Sequence, residues 1–312
     1  MQNKPFEFYL YRLNITDEEN ILPEIFGKRI RTDEQILALL KSATSSEFDY
    51  EQDALHTIYK WSAREFQLFS NLPNIGTFAC LILARSTLTK EGDIVTDNGI
   101  ITGISESQPP LANTIILIFC LKRHLVAVEQ NSELLKNNGW RISFSKIIAR
   151  AANKMQISST ITLEPKPEQH EVIKLFNSFS RLTRIKVDLL IPNPELSKFT
   201  KGLHDDLVKG EIREYLQDMK NPNGLSQDPD ARPYASAALA EAGYKKGEVY
   251  FEGIKEGEFQ KIRTADKATK GKIDTLKNFV RGISISAKSK ESLLILQEIA
   301  LEIDRLYPSE EK

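Results

Sequence analysis

The sequence predicts an α+β protein in which an antiparallel meander precedes a βαβ-containing two-layer module and a C-terminal amphipathic helix. Three observations lead to that class. Between residues 57 and 129, short runs of Ile, Leu, Val, Phe and Thr are punctuated by Lys90-Glu91-Gly92-Asp93, Asp97-Asn98-Gly99 and Pro109-Pro110, the alternation of strand formers and turn residues that hairpins require. Residues 143–155 and 167–179 space apolar side chains as a helix does, alongside strand-like runs at 157–163 and 185–191. Residues 289–306 align Leu293, Leu296, Ala300 and Ile303 along one stripe, with Gln297, Glu298, Glu302 and Arg305 elsewhere.

Taken in order, residues 6–15 (FEFYLYRLNI) are rich in aromatic and β-branched side chains and open the sheet. Thr32, with Gln35 three residues later and Ile36, Leu37, Leu39 and Leu40 beyond, has the form of a capping box and starts a helix running to about Ser42. Meander strands are expected at 76–87, 100–105, 114–121 and 125–129. The helices at 143–155 and 167–179 follow, the second presenting Val172, Leu175, Phe176 and Phe179 on one face. The strands at 157–163 and 185–191 complete a strand, helix, strand unit, which Asn193-Pro194 closes. A polar helical stretch is expected at 194–219, then a turn-rich linker at 221–233, an Ala-rich helix at 234–242 and a hairpin of strands 249–254 and 259–264 across Lys255-Glu256-Gly257. One more strand at 279–286 precedes the closing helix. The change of texture near Asn153 divides the chain into a meander-rich α+β half, residues 1–153, and a βαβ-containing half, residues 154–312, with a helical insertion at 194–243 and a basic C-terminal region.

Composition fits this class. The 312 residues are 41% hydrophobic and 27% charged, with 42 Lys and Arg against 43 Asp and Glu, enough chain to bury a core without disulfides or structural metal. Cys80 and Cys120 each sit inside an apolar run, the setting of buried thiols in a reducing cytosol. Residues 1–11 lack a basic leader followed by an apolar stretch, and the longest apolar run, 111–121, falls short of the about 20 residues that a spanning helix needs. A cytoplasmic protein without a membrane span is expected.

The common phosphate, nucleophile and zinc signatures are absent: no Gly-Lys-Ser/Thr loop, GxGxxG, GxSxG, HExxH or paired CxxC occurs. Two carboxylate groupings remain. His204-Asp205-Asp206, with Glu211 beyond, could hold a hard divalent cation and orient a water, which makes Asp205, Asp206 and Glu211 the candidates for a Mg²⁺-dependent nuclease or phosphodiesterase. The same carboxylates also suit the N-terminal end of a solvated acidic helix. Asp93, Asp97 and Glu106 flank a hairpin and, with Glu129 at the end of a neighbouring strand, could form a nuclease-like cluster binding magnesium, although turn chemistry accounts for Asp93 and Asp97 without catalysis. Lys122-Arg123-His124 between two apolar strands reads either as a phosphate-touching tip or as a polar turn.

The clearest electrostatic feature lies late in the chain. Residues 245–290 carry 12 Lys and Arg against 6 acidic residues in a chain whose total charge is −1. Segregated positive charge is what phosphate contacts depend on, since each neutralised phosphate releases counterions. Lys261, Arg263, Lys267, Lys270, Lys272 and Lys277 are the candidate nucleic-acid contacts, with 267–272 read as a flexible cationic loop and Tyr250, Phe251 and Phe259 as neighbouring aromatics. A solvated lysine face is the alternative.

Residues 6–15, together with Asp188-Leu189-Leu190-Ile191-Pro192-Asn193-Pro194-Glu195, resemble an uncharacterised bacterial domain family found in mobile-element and phage-defence loci. The resemblance implies an antiviral-defence context and supplies no active site. Joined to the charge pattern, it gives the expectation of a bacterial DNA- or RNA-binding protein that grips the phosphate backbone through its late basic region. A metal-dependent nuclease and an interaction subunit docking a partner protein through residues 289–306 stand beside it.

Overall fold

The computed structural model describes residues 5–17, 32–97, 99–106, 108–131, 133–156, 159–168, 171–190, 203, 205–207, 209, 210, 212, 214–264, 267–274 and 290–308. In chain order the elements are β1 (Phe6–Asp17), α1 (Asp33–Ser42), β2 (Tyr50–Ala54), β3 (Thr57–Leu72), β4 (Gly76–Thr96), β5 (Gly99–Glu106), β6 (Ala112–Cys120) and β7 (Leu125–Glu129). They continue with α2 (Gly139–Lys154), β8 (Ser159–Pro165), α3 (Glu171–Asn177), β9 (Arg181–Leu190), β10 (Glu214–Lys220), α4 (Arg232–Glu241), β11 (Tyr250–Lys255), β12 (Glu258–Arg263), β13 (Lys270–Ile273) and α5 (Lys290–Leu306).

Two antiparallel sheets organise them. The large sheet runs β13-β1-β7-β6-β4-β3-β2, with β8 on the C-terminal half of β1 and β5 on the distal half of β4. Both of its faces are covered, and strict alternation supplies both cores. Ala79, Leu81, Leu83, Ile115, Leu117, Phe119, Val126 and Val128 face α1 and α2, where they meet Trp140, Phe144, Ile147 and Ile148. Phe78, Cys80, Ile116, Ile118, Leu125 and Ala127 point the other way, onto Ile295, Leu296, Ile299 and Ile303 of α5. The closing helix therefore spends its stripe on the core instead of presenting it to a partner. Both cysteines are buried free thiols, and burial pushes the Cys80 thiol far above its ordinary pKa.

The small sheet, β10-β9-β11-β12, is covered on one face only among the described residues. Leu182, Ile185, Val187, Leu189 and Phe251 pack under α3 and α4 against Val172, Phe176, Ala237 and Leu239. At Gly253 an added Cβ would lie 2.3 Å from the Arg181 carbonyl oxygen, and the β9–β11 register shifts between Glu252 and Gly253. Glycine is what allows the strands to close at that bulge.

Several elements differ from expectation. β8 joins the large sheet and β9 the small one, so the predicted βαβ unit does not form; α3 links two sheets. β3 went unpredicted because its polar residues, Lys60, Arg64, Glu65 and Gln67, break the apolar run. Residues 214–219 form the edge strand β10 instead of helix, with Tyr215, Gln217 and Met219 turned inward and Leu216 and Asp218 outward. Residues 270–273, read as a loop, form β13, where Gly271 lies so close beneath the Phe8 ring that an added Cβ would sit 2.3 Å from it. Across the expected division at residue 153, β8, β13 and α5 share the large sheet and its cores with the earlier strands, while the small sheet occupies the stretch from α3 to β12. The expected strand at 279–286 and the start of the polar stretch, 194–200, lie outside the described residues.

Candidate nucleic-acid interface

The uncovered face of the small sheet is built by alternation. In Arg184-Ile185-Lys186-Val187-Asp188 the apolar residues enter the core, so Arg184, Lys186 and Asp188 project outward. Register places Lys186 opposite Tyr250 and Arg184 opposite Glu252 on β11, with Arg263 and Lys261 next in line on β12. Between these side chains lies a groove of about 590 Å³, lined by Arg184, Lys186, Tyr250 and Arg263 with Leu216 and Asp188 on its β10 side.

Charges in the groove are interleaved. Arg184 donates to both carboxylate oxygens of Asp218 (2.7 and 2.8 Å), and Glu252 stands 3.6 Å away. The Arg184 hydrogen bonds, helped by Lys220 at 3.2 Å, lower the Asp218 pKa to about 2. The Tyr250 phenol donates to Glu252 (2.6 Å), which raises the phenol pKa and holds the carboxyl below its usual range. Arg184 and Arg263 lie over the Tyr250 ring at 5.3 and 5.9 Å, and Lys261 lies 5.9 Å from the ring of Phe259, itself 57% exposed. Arg263 keeps an exposed side chain beside Glu248 at 3.6 Å. Lys186 is exposed.

The predicted cationic residues do not gather in one place. Lys261 and Arg263 lie on this open face. Lys270 and Lys272 lie on β13 at the edge of the large sheet, where Lys270 pairs with Glu7 (2.9 Å) and Lys272 with Asp274 (2.9 Å). Lys267 is exposed between β12 and β13, and Lys277 lies outside the described residues. Of the aromatics, Phe251 is core, Tyr250 is in the groove and Phe259 is exposed. Arg184 and Lys186, which fall outside the charge-dense window, are the residues that counting missed. Their signal was the alternation of charged and β-branched residues within a run already read as a strand.

The carboxylate readings find little geometric support. Among the described residues no three His, Cys, Asp or Glu side chains come together as a metal site. Asp206 lies 3.7 Å from Arg232, and Glu211 and His204 lie outside the described residues, while Asp205 has a partner of its own. Asp93 accepts from the Thr102 hydroxyl, and Glu129 accepts the Ile116 N–H (3.1 Å). At the β6–β7 turn, His124 adopts a left-handed conformation with φ 50° and Arg123 pairs with Asp304 of α5 (2.8 Å), so this basic tip fastens a helix to the sheet. No helix among the described residues is long and apolar enough to cross a membrane.

No curated protein matches the chain. A family model described as a domain of unknown function, DUF4747, matches residues 89–285. That span covers more than half of the chain and takes in every strand of the small sheet, so the protein belongs to the DUF4747 family.

Proposed function

We propose that this protein binds nucleic acid along the open face of its small sheet, in the setting of bacterial antiphage defence. One observation carries the reading. Arg263, from the segregated basic region, lines a groove with Arg184, Lys186 and Tyr250, and Lys261 stands opposite Glu252 on the same face, which no helix covers among the described residues. Flat sheet faces suit single strands, whose bases can stack on exposed rings while cations follow the backbone. Tyr250 and Phe259 supply the rings. Because Asp188, Asp218, Glu248 and Glu252 share the face, the net positive field is small, and binding belongs at low ionic strength.

Fluorescence anisotropy with labelled single-stranded DNA and RNA, titrated at a series of salt concentrations, tests the proposal. The logarithm of the binding constant should fall linearly with that of salt, by about 0.7 per phosphate contacted. Lys261→Ala with Arg263→Ala should flatten the slope by about that amount per lost contact, whereas Asp218→Asn, which frees Arg184, should steepen it and tighten binding. Absence of binding at low salt, or a slope unmoved by both variants, overturns the proposal.

A further inference from the structure

The distal half of β4 and all of β5 form a two-stranded arm, Thr89 to Thr96 against Gly99 to Glu106, that extends past the last β3 partner at Lys90. Among the described strands, β5 pairs with β4 alone, so its second edge presents unpaired N–H and carbonyl groups. Four other sheet edges among the described strands are guarded by charge: β2 carries Glu51 and Asp53, β10 carries Asp218 and Lys220, β12 carries Lys261 and Arg263, and β13 carries Lys270 and Lys272, while β8 is closed by Glu164 and Pro165. Such side chains discourage edge-to-edge pairing. In β5 the run from Gly99 to Ser105 contains no charged residue and no proline, while Ile100, Ile101 and Ile104 are 69%, 55% and 64% exposed. That combination of an open edge, high β-propensity and neutral apolar side chains is a template for a further strand.

We infer that the occupant is β5 of a second copy of this chain, paired antiparallel about a twofold axis at Thr102. Ile100 and Ile104 stand symmetrically about that residue, while Ile101 falls against Gly103 and Gly99 against Ser105. This register sets Thr102 against its own copy, a favourable cross-strand pair, and Ile100 against Ile104 in both directions. Because Val95 lies opposite Ile100 and Glu91 opposite Ile104 within the arm, each row across the joined ribbon reads Val95-Ile100-Ile104-Glu91, three apolar side chains closed by a carboxylate. Charge selects this edge over the other. The β4 side of the arm bears Glu91, Asp93 and Asp97, and pairing like with like there would place carboxylates about 5 Å apart. Pairing through β5 separates the two Asp93 carboxylates by three strand spacings, roughly 14 Å, beyond the Debye length at physiological ionic strength. The small contact predicts a concentration-dependent dimer, not a permanent one.

Sedimentation equilibrium of the full chain across the micromolar range should show a rise from monomer to dimer mass. Ile100→Lys with Ile104→Lys replaces exposed side chains only; it should hold the chain at monomer mass while leaving its circular dichroism and unfolding midpoint unchanged. Register is tested by Thr102→Cys. Since Cys80 and Cys120 are buried, the new thiol is the reactive one, and its twofold mate, with Cα atoms about 5 Å away, lies within disulfide reach. Mild oxidation should yield a covalent dimer for Thr102→Cys and not for Asp97→Cys, whose copies would stand roughly 25 Å apart along the ribbon. Monomer mass at every concentration, a dimer that survives the lysine pair, or equal cross-linking of the two cysteine variants overturns the inference.

Discussion

Asp218 shows how a single carboxylate can shape both the stability of the small sheet and the electrostatics of its open face. Held by two hydrogen bonds from Arg184 and by Lys220, it keeps a folded-state pKa of about 2, below the about 3.9 of a free aspartate. A carboxyl whose pKa is depressed by folding stabilises the native state above its unfolded value and loses that contribution as pH falls through the folded one. The urea midpoint should therefore decline as pH drops from about 4 to about 2. Asp218→Asn should remove that part of the decline, so that wild type and variant converge near the acid end. Equal separation of the two proteins at every pH would show that the Arg184 pair contributes nothing in solution. Because the pair is solvent-accessible, salt should shrink the difference.

At the scale of elements, local signals were readable where they satisfy themselves locally. Thr32 accepts the Gln35 N–H at 3.3 Å and Gln35 reaches back to the Thr32 N–H at 3.1 Å, the capping box its spacing announced. Thr32→Ala should accordingly destabilise the protein by about 1 kcal/mol in chemical denaturation, without altering nucleic-acid affinity. The hairpin across Lys255-Glu256-Gly257 was equally plain, since Glu256 and Gly257 both take positive φ, at 54° and 83°. Partner choice was not readable. β8 and β9 carry the same alternating texture, and only tertiary packing assigns one to β1 and the other to β11. β13 was hidden for another reason: four residues with glycine at the centre look like a loop until Phe8 is seen to require that glycine. The candidate site was legible in half. Charge counting found Lys261 and Arg263 but merged them with Lys270 and Lys272, which belong to the other sheet; the alternation at 184–188 held the missing half.

At the scale of the whole molecule, buried cations join the two sheets. Helix α4 ends in a Schellman motif, with Tyr244 N–H on the Leu239 carbonyl, Gly243 N–H on that of Ala240 and Gly243 at φ +90°. The remaining carbonyls of its last turn point at the large unit, where a buried helix end must find donors. Arg12 of β1, only 3% exposed, donates Nε to the Ala242 carbonyl (3.0 Å) and Nη1 to that of Arg123 (2.8 Å), and lies over the Tyr244 ring. Lys166, just after β8, donates to the Glu241 carbonyl (2.7 Å) and lies over the Tyr307 ring. Positive charge at this end of α4 also complements the helix dipole. Arg12→Met keeps most of the side-chain volume but leaves two part-buried carbonyls without these donors, a penalty of about 1 kcal/mol for each. The loss should fall on the coupling between the units. Trp61 and Trp140 both sit in the large unit's core, so tryptophan fluorescence follows that unit alone while far-ultraviolet circular dichroism follows both. In the wild type the two signals should trace one denaturant transition. In Arg12→Met the dichroism should begin to fall first, as the small sheet melts ahead of the large one. Coincident curves at an unchanged midpoint would mean that the junction is held by something other than this guanidinium.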